Sequence, residues 1–216
     1  MKILALETSA KAVSAAVTED GKVLCSGYQD TGLTHSRTLM PIVEGILKNT
    51  GLTVQDCDAI AVAVGPGSFT GIRIGVAAAK GLAFAAEKPT VAVSTLEAMA
   101  RNVSHMEGLI ICAMDARRNQ VYNALFRSDG SGAPHRLTED RAIGLADLAA
   151  EVAAMEGPRI VLGDGASLCL KALEEQEIPC RLAPPQLVMQ NAVSVALCAG
   201  EAALRGGLID PQALAP

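Results

Sequence analysis

Short apolar runs, and longer stretches with an apolar residue every three or four positions, divide this chain into strands and helices. Residues 2–6 form the first run and stop at a polar cluster, Glu7-Thr8-Ser9. Residues 13–18 and 22–28 are two more runs, joined by Glu19-Asp20-Gly21, and an Asp-Gly pair between strands signals a hairpin turn. The chain is therefore expected to open with a three-strand meander. Over 36–48 the residues Leu39, Ile42, Val43, Ile46 and Leu47 recur at helical spacing, and Gly51 is a suitable stop after Asn49 and Thr50. Pro41 fits such a helix only in its first turn, where a missing N–H leaves no bond unmade.

The stretch 59–86 organises the rest. Residues 59–64 are an unbroken apolar run, as expected of a strand covered on both faces, and Gly65-Pro66-Gly67 stops it. A helical pattern starts near Gly71, with Ser68 or Thr70 placed to cap it. A glycine loop at a helix start aims several backbone N–H groups at one spot and suits a phosphate; it equally suits a tight turn that needs glycine only for its backbone angles. The spacing of Gly65, Gly67 and Gly71 is G-x-G-x-x-x-G, which is not the dinucleotide fingerprint, and no Gly-Lys-Ser/Thr ends it as in a P-loop. The helix that follows is apolar or small almost all round. Gly71, Gly75 and Ala79 recur at four-residue spacing, as do Ala78, Leu82 and Ala86. A helix buries one stripe on its own sheet, so the excess predicts a second burial against another subunit, with Leu39, Val43 and Ile46 of the preceding helix beside it.

Residues 90–93 read as another strand, and Ser94 caps a helix over 95–102 with Glu97 at its third position. From Leu109 the plan starts again: strands at 109–114, 120–127 and 135–137, a helix at 145–155, and a strand at 159–162 that runs into Gly163-Asp164-Gly165. A helix at 166–175, a short strand at 180–182 and a last helix at 191–204 complete it. The order of elements repeats while the residues do not. Two such halves define an α/β fold of two ribonuclease-H-like units, the plan of actin-like ATPases and sugar kinases, divided here into 1–104 and 105–216. In that plan the glycine turns of both halves face a cleft and hold phosphates. The candidate nucleotide residues are then Glu7 and Ser9 at the end of the first strand, Gly65, Gly67 and Ser68, and Gly163 and Gly165.

Composition narrows the function. Eighteen basic against twenty-three acidic residues give a net charge of −5, with two Tyr, three Phe and no Trp. Nucleic-acid binders need cations for phosphate and aromatics for stacking, so this chain alone is a poor candidate. Six cysteines form no C-x-x-C pair, and four lie in apolar segments where a thiol packs as a small hydrophobe, which points to the reducing cytoplasm. The apolar start is broken at Glu7, too soon for a secretory signal, and nothing approaches the ~20 apolar residues of a membrane span. His35, His105 and His135 show no metal-ligand spacing.

Several segments carry a resemblance. ILALETSAKAVSAAV near the start, THSRTLMPIVEGIL at 34–47, GPGSFTGIRIG at 65–75, VSTLEAMA at 93–100 and DARRNQVYNALF at 115–126 together resemble the bacterial TsaB family, over about residues 1–205. The resemblance implies an actin-like fold and a non-catalytic paralogue of TsaD, the catalytic subunit that makes threonylcarbamoyladenosine beside the tRNA anticodon. It implies a scaffold that binds and activates TsaD, with TsaE as a further ATPase subunit and tRNA reached only through the complex. No cofactor is then required by this chain, and ATP or ADP belongs at the complex junction. The helices at 36–48 and 71–86 are expected to form a bundle with TsaD, and to pair two copies of the chain as a homodimer when TsaD is absent. The expected partner face is Leu39, Val43, Ile46, Gly71, Gly75, Ala78, Ala79 and Leu82.

The catalytic paralogue holds its metal with two histidines four residues apart. The matching positions here are Thr95 and Met99, a hydroxyl and a thioether that cannot replace two imidazoles, so neither catalytic residues nor a metal are expected. Glu7 stands where many relatives carry Asp, which keeps the charge but moves it. The spacing from His35 to Pro41-Ile42 resembles a helix start common to both paralogues and reads as capping or packing. Asp115 and Arg117 read as a solvated loop ion pair. Two alternatives remain: an actin-like kinase or ATPase acting alone, with magnesium held near Glu7, and a glycoprotease-like metallopeptidase, against which the missing histidine pair counts.

Overall fold

In the computed structural model, which describes Met1–Pro216, the chain forms two compact units. One comprises Met1–Ala98 and Gln190–Pro216, the other Met99–Met189.

The first unit is built on a five-stranded sheet of β1 (Lys2–Glu7), β2 (Val13–Glu19), β3 (Lys22–Gln29), β4 (Ala59–Gly65) and β5 (Thr90–Ser94), in the order β3-β2-β1-β4-β5. β1 pairs antiparallel with β2 and parallel with β4, and β5 is parallel to β4, so the expected meander continues into parallel crossovers. The hairpin between β2 and β3 turns on Asp20 and Gly21, both at positive φ, which an Asp-Gly turn accommodates. Side chains alternate across the sheet. Leu4, Leu6, Ile60 and Val62 meet α1 (His35–Thr50) and α2 (Phe69–Ala86) on one face. On the other face Ile3, Ala5, Ala16, Ala59, Ala61 and Ala63 meet Ala192, Val195, Ala196 and Ala199 of the last helix, Ala192–Leu204. That second face is mostly alanine, and the alanine-rich helix lies on it.

This corrects the expected division at 104/105, which assigned the last helix to the second half. Its apolar face finds the alanine face of the first sheet, and Ser14 Oγ accepts from Ala192 N–H at 2.9 Å. α1 extends over His35–Thr50, which puts Pro41 at its seventh position, in the second turn instead of the first. Pro41 and Arg37 are both exposed, so water can take up the Arg37 carbonyl that loses its donor. α2 starts at Phe69 with Ser68 as its cap, the Ser68 Oγ accepting from Gly71 N–H at 3.2 Å.

In the second unit β6 (Gly108–Arg117) and β7 (Gln120–Ser128) are the long central pair. They are joined by β8 (His135–Arg136), β9 (Arg141–Gly144), β10 (Arg159–Leu162) and β11 (Arg181–Leu182) in the order β11-β10-β6-β7-β8, with β9 also on β7. The sequence does not predict β9, because the four residues Arg141-Ala-Ile-Gly are too few to show a strand period. The helices Leu145–Ala153 and Ala166–Glu174 cover one face through Leu148, Val152, Cys169 and Leu173. The short helix Thr95–Asn102 contains the division between the units.

Candidate functional site

In the first unit the ends of β1 and β4 and the start of α2 converge, as the glycine loop predicts. Thr8 is the hub. Its hydroxyl donates to the Gly71 carbonyl at 2.8 Å, and Ser68 N–H donates to the Ser9 carbonyl at 2.7 Å. A Cβ on Gly71 would sit 2.1 Å from the Thr8 carbonyl oxygen, and one on Gly75 would sit 2.3 Å from the Thr8 hydroxyl oxygen. Only glycine allows α2 to lie this close to β1.

The same bonds bear on phosphate binding. Of the loop donors, Ser68 N–H is taken by Ser9 and Gly71 N–H by the Ser68 side chain. Glu7 is 1% exposed, and one of its oxygens accepts from Ser9 N–H at 2.5 Å. A hydrated magnesium needs a carboxylate turned outward, and that of Glu7 is turned into the fold, while Gly65 and Gly67 are half-buried and Ser68 is exposed. Gly65 and Gly67 have φ of 124° and 154°, so turn geometry accounts for both. Glu7 and the N–H groups of Ser68 and Gly71 are thus engaged within the fold, and no nucleotide role follows from this arrangement for Ser9, Gly65, Gly67 or Ser68.

In the second unit Gly163 N–H donates to the Val188 carbonyl at 2.8 Å and Gly165 N–H to the Ala113 carbonyl at 3.0 Å. A Cβ on Gly163 would lie 2.1 Å from the Ala113 oxygen and 2.4 Å from the Met99 methyl carbon. Both glycines are there for close backbone approach, and Met99 is fully buried. Thr95 is also fully buried. No group of three or more His, Cys, Asp or Glu side chains converges anywhere in the chain. His35 Nε2 lies 3.1 Å from the Ala12 carbonyl, the packing role expected of it, and Arg117 pairs with Asp115 at 3.6 Å with its own side chain solvated.

The expected partner face needs correction. Leu39, Val43 and Ile46 are 1–4% exposed and belong to the chain's own core, as do Ala79 and the two glycines, Gly71 and Gly75, held against Thr8. Ala78 and Leu82 are half-buried and flank that core. The outward stripe of α2 lies about a quarter-turn round: Phe69, Thr70, Arg73, Ala77, Gly81, Phe84 and Ala85 are exposed. Phe69 is 68% and Phe84 52% exposed, and the Arg73 guanidinium stacks 3.8 Å over the Phe69 ring. On α1 the exposed apolar residue is Met40. A Cβ on Gly81, or on Gly45 of α1, would meet no atom within 4 Å. The sequence signal for this stripe is Arg73, Ala77, Gly81 and Ala85 at four-residue spacing. It does not stand out because α2 is small on every side, so its pattern does not say which side faces in.

Burial sets the thiols. It pushes Cys57 and Cys180 up to about 11 and Cys169 to about 12, and raises fully buried Cys112 well above the ordinary thiol range. None of the six cysteines forms a disulfide.

Known proteins define first a class and then a family. Residues 29–195 match the family described as TsaD: tRNA N6-adenosine threonylcarbamoyltransferase. A ROK hexokinase from Thermus thermophilus shares the fold alone, with a TM-score of 0.52 over 95% of this chain and all of that one at 14% identity. The fold is thus α/β of the actin-like ATPase kind. YeaZ from Pseudomonas aeruginosa superposes over the full length of both chains with a TM-score of 0.82 at 27% identity. The tRNA threonylcarbamoyladenosine biosynthesis protein TsaB of Bacillus subtilis (strain 168) is 37% identical over 175 residues, 81% of this chain and 76% of that one. Matches to other proteins of that name span as little as 52% of their length. The chain belongs to the TsaB family.

Proposed function

We propose that this chain is a non-catalytic scaffold in tRNA threonylcarbamoyladenosine biosynthesis, binding and activating TsaD through the outer stripe of α2 and the adjoining face of α1. The observation that carries this reading is the stripe itself: exposed Ala77 and Gly81 between Phe69 and Phe84, with Ala85 just beyond, on a helix whose opposite face is fully used by the core. Helix-interior glycine costs about 1 kcal/mol relative to alanine. Nothing in this chain approaches Gly81 or Gly45 to require it, whereas a partner helix crossing there would. Aromatic anchors at the ends and small residues between them suit a helix-on-helix interface.

Threonylcarbamoyl transfer then belongs to TsaD, with TsaE as the ATPase subunit and any nucleotide held outside this chain. The inward-turned donors of the glycine loop and the buried Thr95 and Met99 support a chain that binds and does not catalyse. The same stripe serves a homodimer when TsaD is absent, so the two pairings exclude each other. Cytoplasmic location follows from this role.

Light scattering on the chain alone and mixed with cognate TsaD tests the reading, with transfer to tRNA assayed in the same samples. A homodimer that exchanges into a heterodimer, with transfer only when TsaD and TsaE are both present, is expected. A monomer that ignores TsaD and hydrolyses ATP unaided would favour the kinase-like alternative.

A further inference from the structure

The two ends of α2 are held differently. The first half is locked by the Thr8 hydroxyl on Gly71, by the close approach of Gly71 and Gly75, and by buried Ile72 and Val76. From Ala79 onward its buried residues are alanines only, Ala79, Ala83 and Ala86. A methyl buries little area, so these contribute far less than the branched residues before them. The bulk on this side comes from elsewhere in the chain. Residues 208–214 follow the last helix of the first unit, and Ile209 pairs with Thr90 on the edge strand β5 through two backbone bonds of 2.9 Å. Lys80 Nζ donates to the Gln212 carbonyl at 3.3 Å, and Leu214, 1% exposed, enters the same core cluster as Val76, Ala79 and Ala83. Between these attachments an open groove of about 480 Å³ separates the end of α2, at Ala83, Phe84 and Glu87, from Leu208 and Pro211. The segment is therefore pinned at three points and unsealed between them.

We propose that residues 208–214 are a strap that sets the position of the C-terminal half of α2, and with it the outer stripe at Gly81, Phe84 and Ala85. The functional part of this inference rests on the scaffold reading above; the mechanical part does not. Releasing the strap removes Leu214 and Ile209 from a helix end whose buried residues are all alanines, with half-buried Leu82 its one larger contact, so that end loosens while the Thr8-locked end stays in place.

Hydrogen exchange on the full chain and on Leu214→Ala, Ile209→Pro and a variant lacking residues 208–216 reads this directly. Amides of 82–86 are expected to exchange roughly tenfold faster in the variants, with those of 72–76 and of β1 changed much less. Binding to TsaD is expected to weaken at least fivefold in the same variants. Unchanged exchange at 82–86, or an equal rise in β1 and both halves of α2, would overturn the strap. If the shortened chain fails to fold, Leu214→Ala decides. If the unmodified chain fails to bind TsaD, the scaffold reading falls while the exchange data still decide the strap. Loosened amides with undiminished TsaD binding would separate the strap from the docking stripe and overturn its functional part.

Discussion

Gly75 and Thr8 are packed so closely that a Cβ on Gly75 would lie 2.3 Å from the Thr8 hydroxyl oxygen. That hydroxyl is also the donor to Gly71, so the contact joins the end of β1 to the first half of α2. Alanine normally favours a helix over glycine by about 1 kcal/mol, yet here the added methyl has nowhere to go. Gly75→Ala is expected to lower stability by about 1–3 kcal/mol, the usual cost of overpacking, in urea denaturation. A gain in stability would mean that α2 moves off β1 freely.

Gly81 is the opposite case. It sits in the same helix, and a methyl added there would meet no atom within 4 Å, so Gly81→Ala is expected to stabilise the isolated chain by about 0.4–1 kcal/mol. If Gly81 is the crossing point with TsaD, the same change weakens the heterodimer. Opposite signs in denaturation and in light scattering are the expected pair of results.

Arginine placed along α2 separates the two faces. Ala77 is exposed, so Ala77→Arg is expected to leave stability within about 0.5 kcal/mol while abolishing pairing with TsaD. Ala79 is fully buried in the core, so Ala79→Arg is expected to unfold the chain. Circular dichroism and light scattering on the two variants distinguish these outcomes, and a folded Ala79→Arg chain would contradict the burial.

Alkali should weaken the fold. The buried thiols of Cys57, Cys169 and Cys180 have folded-state pKa values raised from 9.0 to about 11–12, so folding favours their protonated forms. Their contribution is complete below pH 9 and is lost as pH rises from there through 11 to 12, because the unfolded chain ionises first. Melting temperature at pH 10.5 is expected below that at pH 8, and Cys57, Cys112 and Cys169 are expected to resist a thiol reagent at pH 8 until the chain unfolds.

Magnesium-ATP should not stabilise the isolated chain. Ser68 and Gly71 N–H groups are already bonded within the fold, and a ligand raises stability only where the folded state binds it. An unchanged melting temperature at millimolar nucleotide is expected; a clear rise would show that the loop opens to take a phosphate.

Much of the fold is legible in the sequence because its elements have strong local periods. The meander, the hairpin at Asp20-Gly21, the strand into Gly65-Pro66-Gly67 and the caps at Ser68 and Ser94 all depend on residues close in sequence. Pro41 misleads by position, since the helix begins at His35 and carries it in the second turn. β9 is not legible because its four residues owe their strand conformation to pairing with β7.

The amino-acid sequence by itself determined the order of strands and helices apart from β9, the TsaB resemblance and the loss of the histidine pair at Thr95 and Met99, since each is written in neighbouring residues. Tertiary structure alone decided which side of α2 faces outward, that Gly71 and Gly75 serve the Thr8 contact, and that the last helix returns to the first sheet. The reason is physical. A helix of small residues has no apolar stripe strong enough to set its rotation, so its inward face is chosen by close fit to a distant strand, and that fit is visible only when both are folded together.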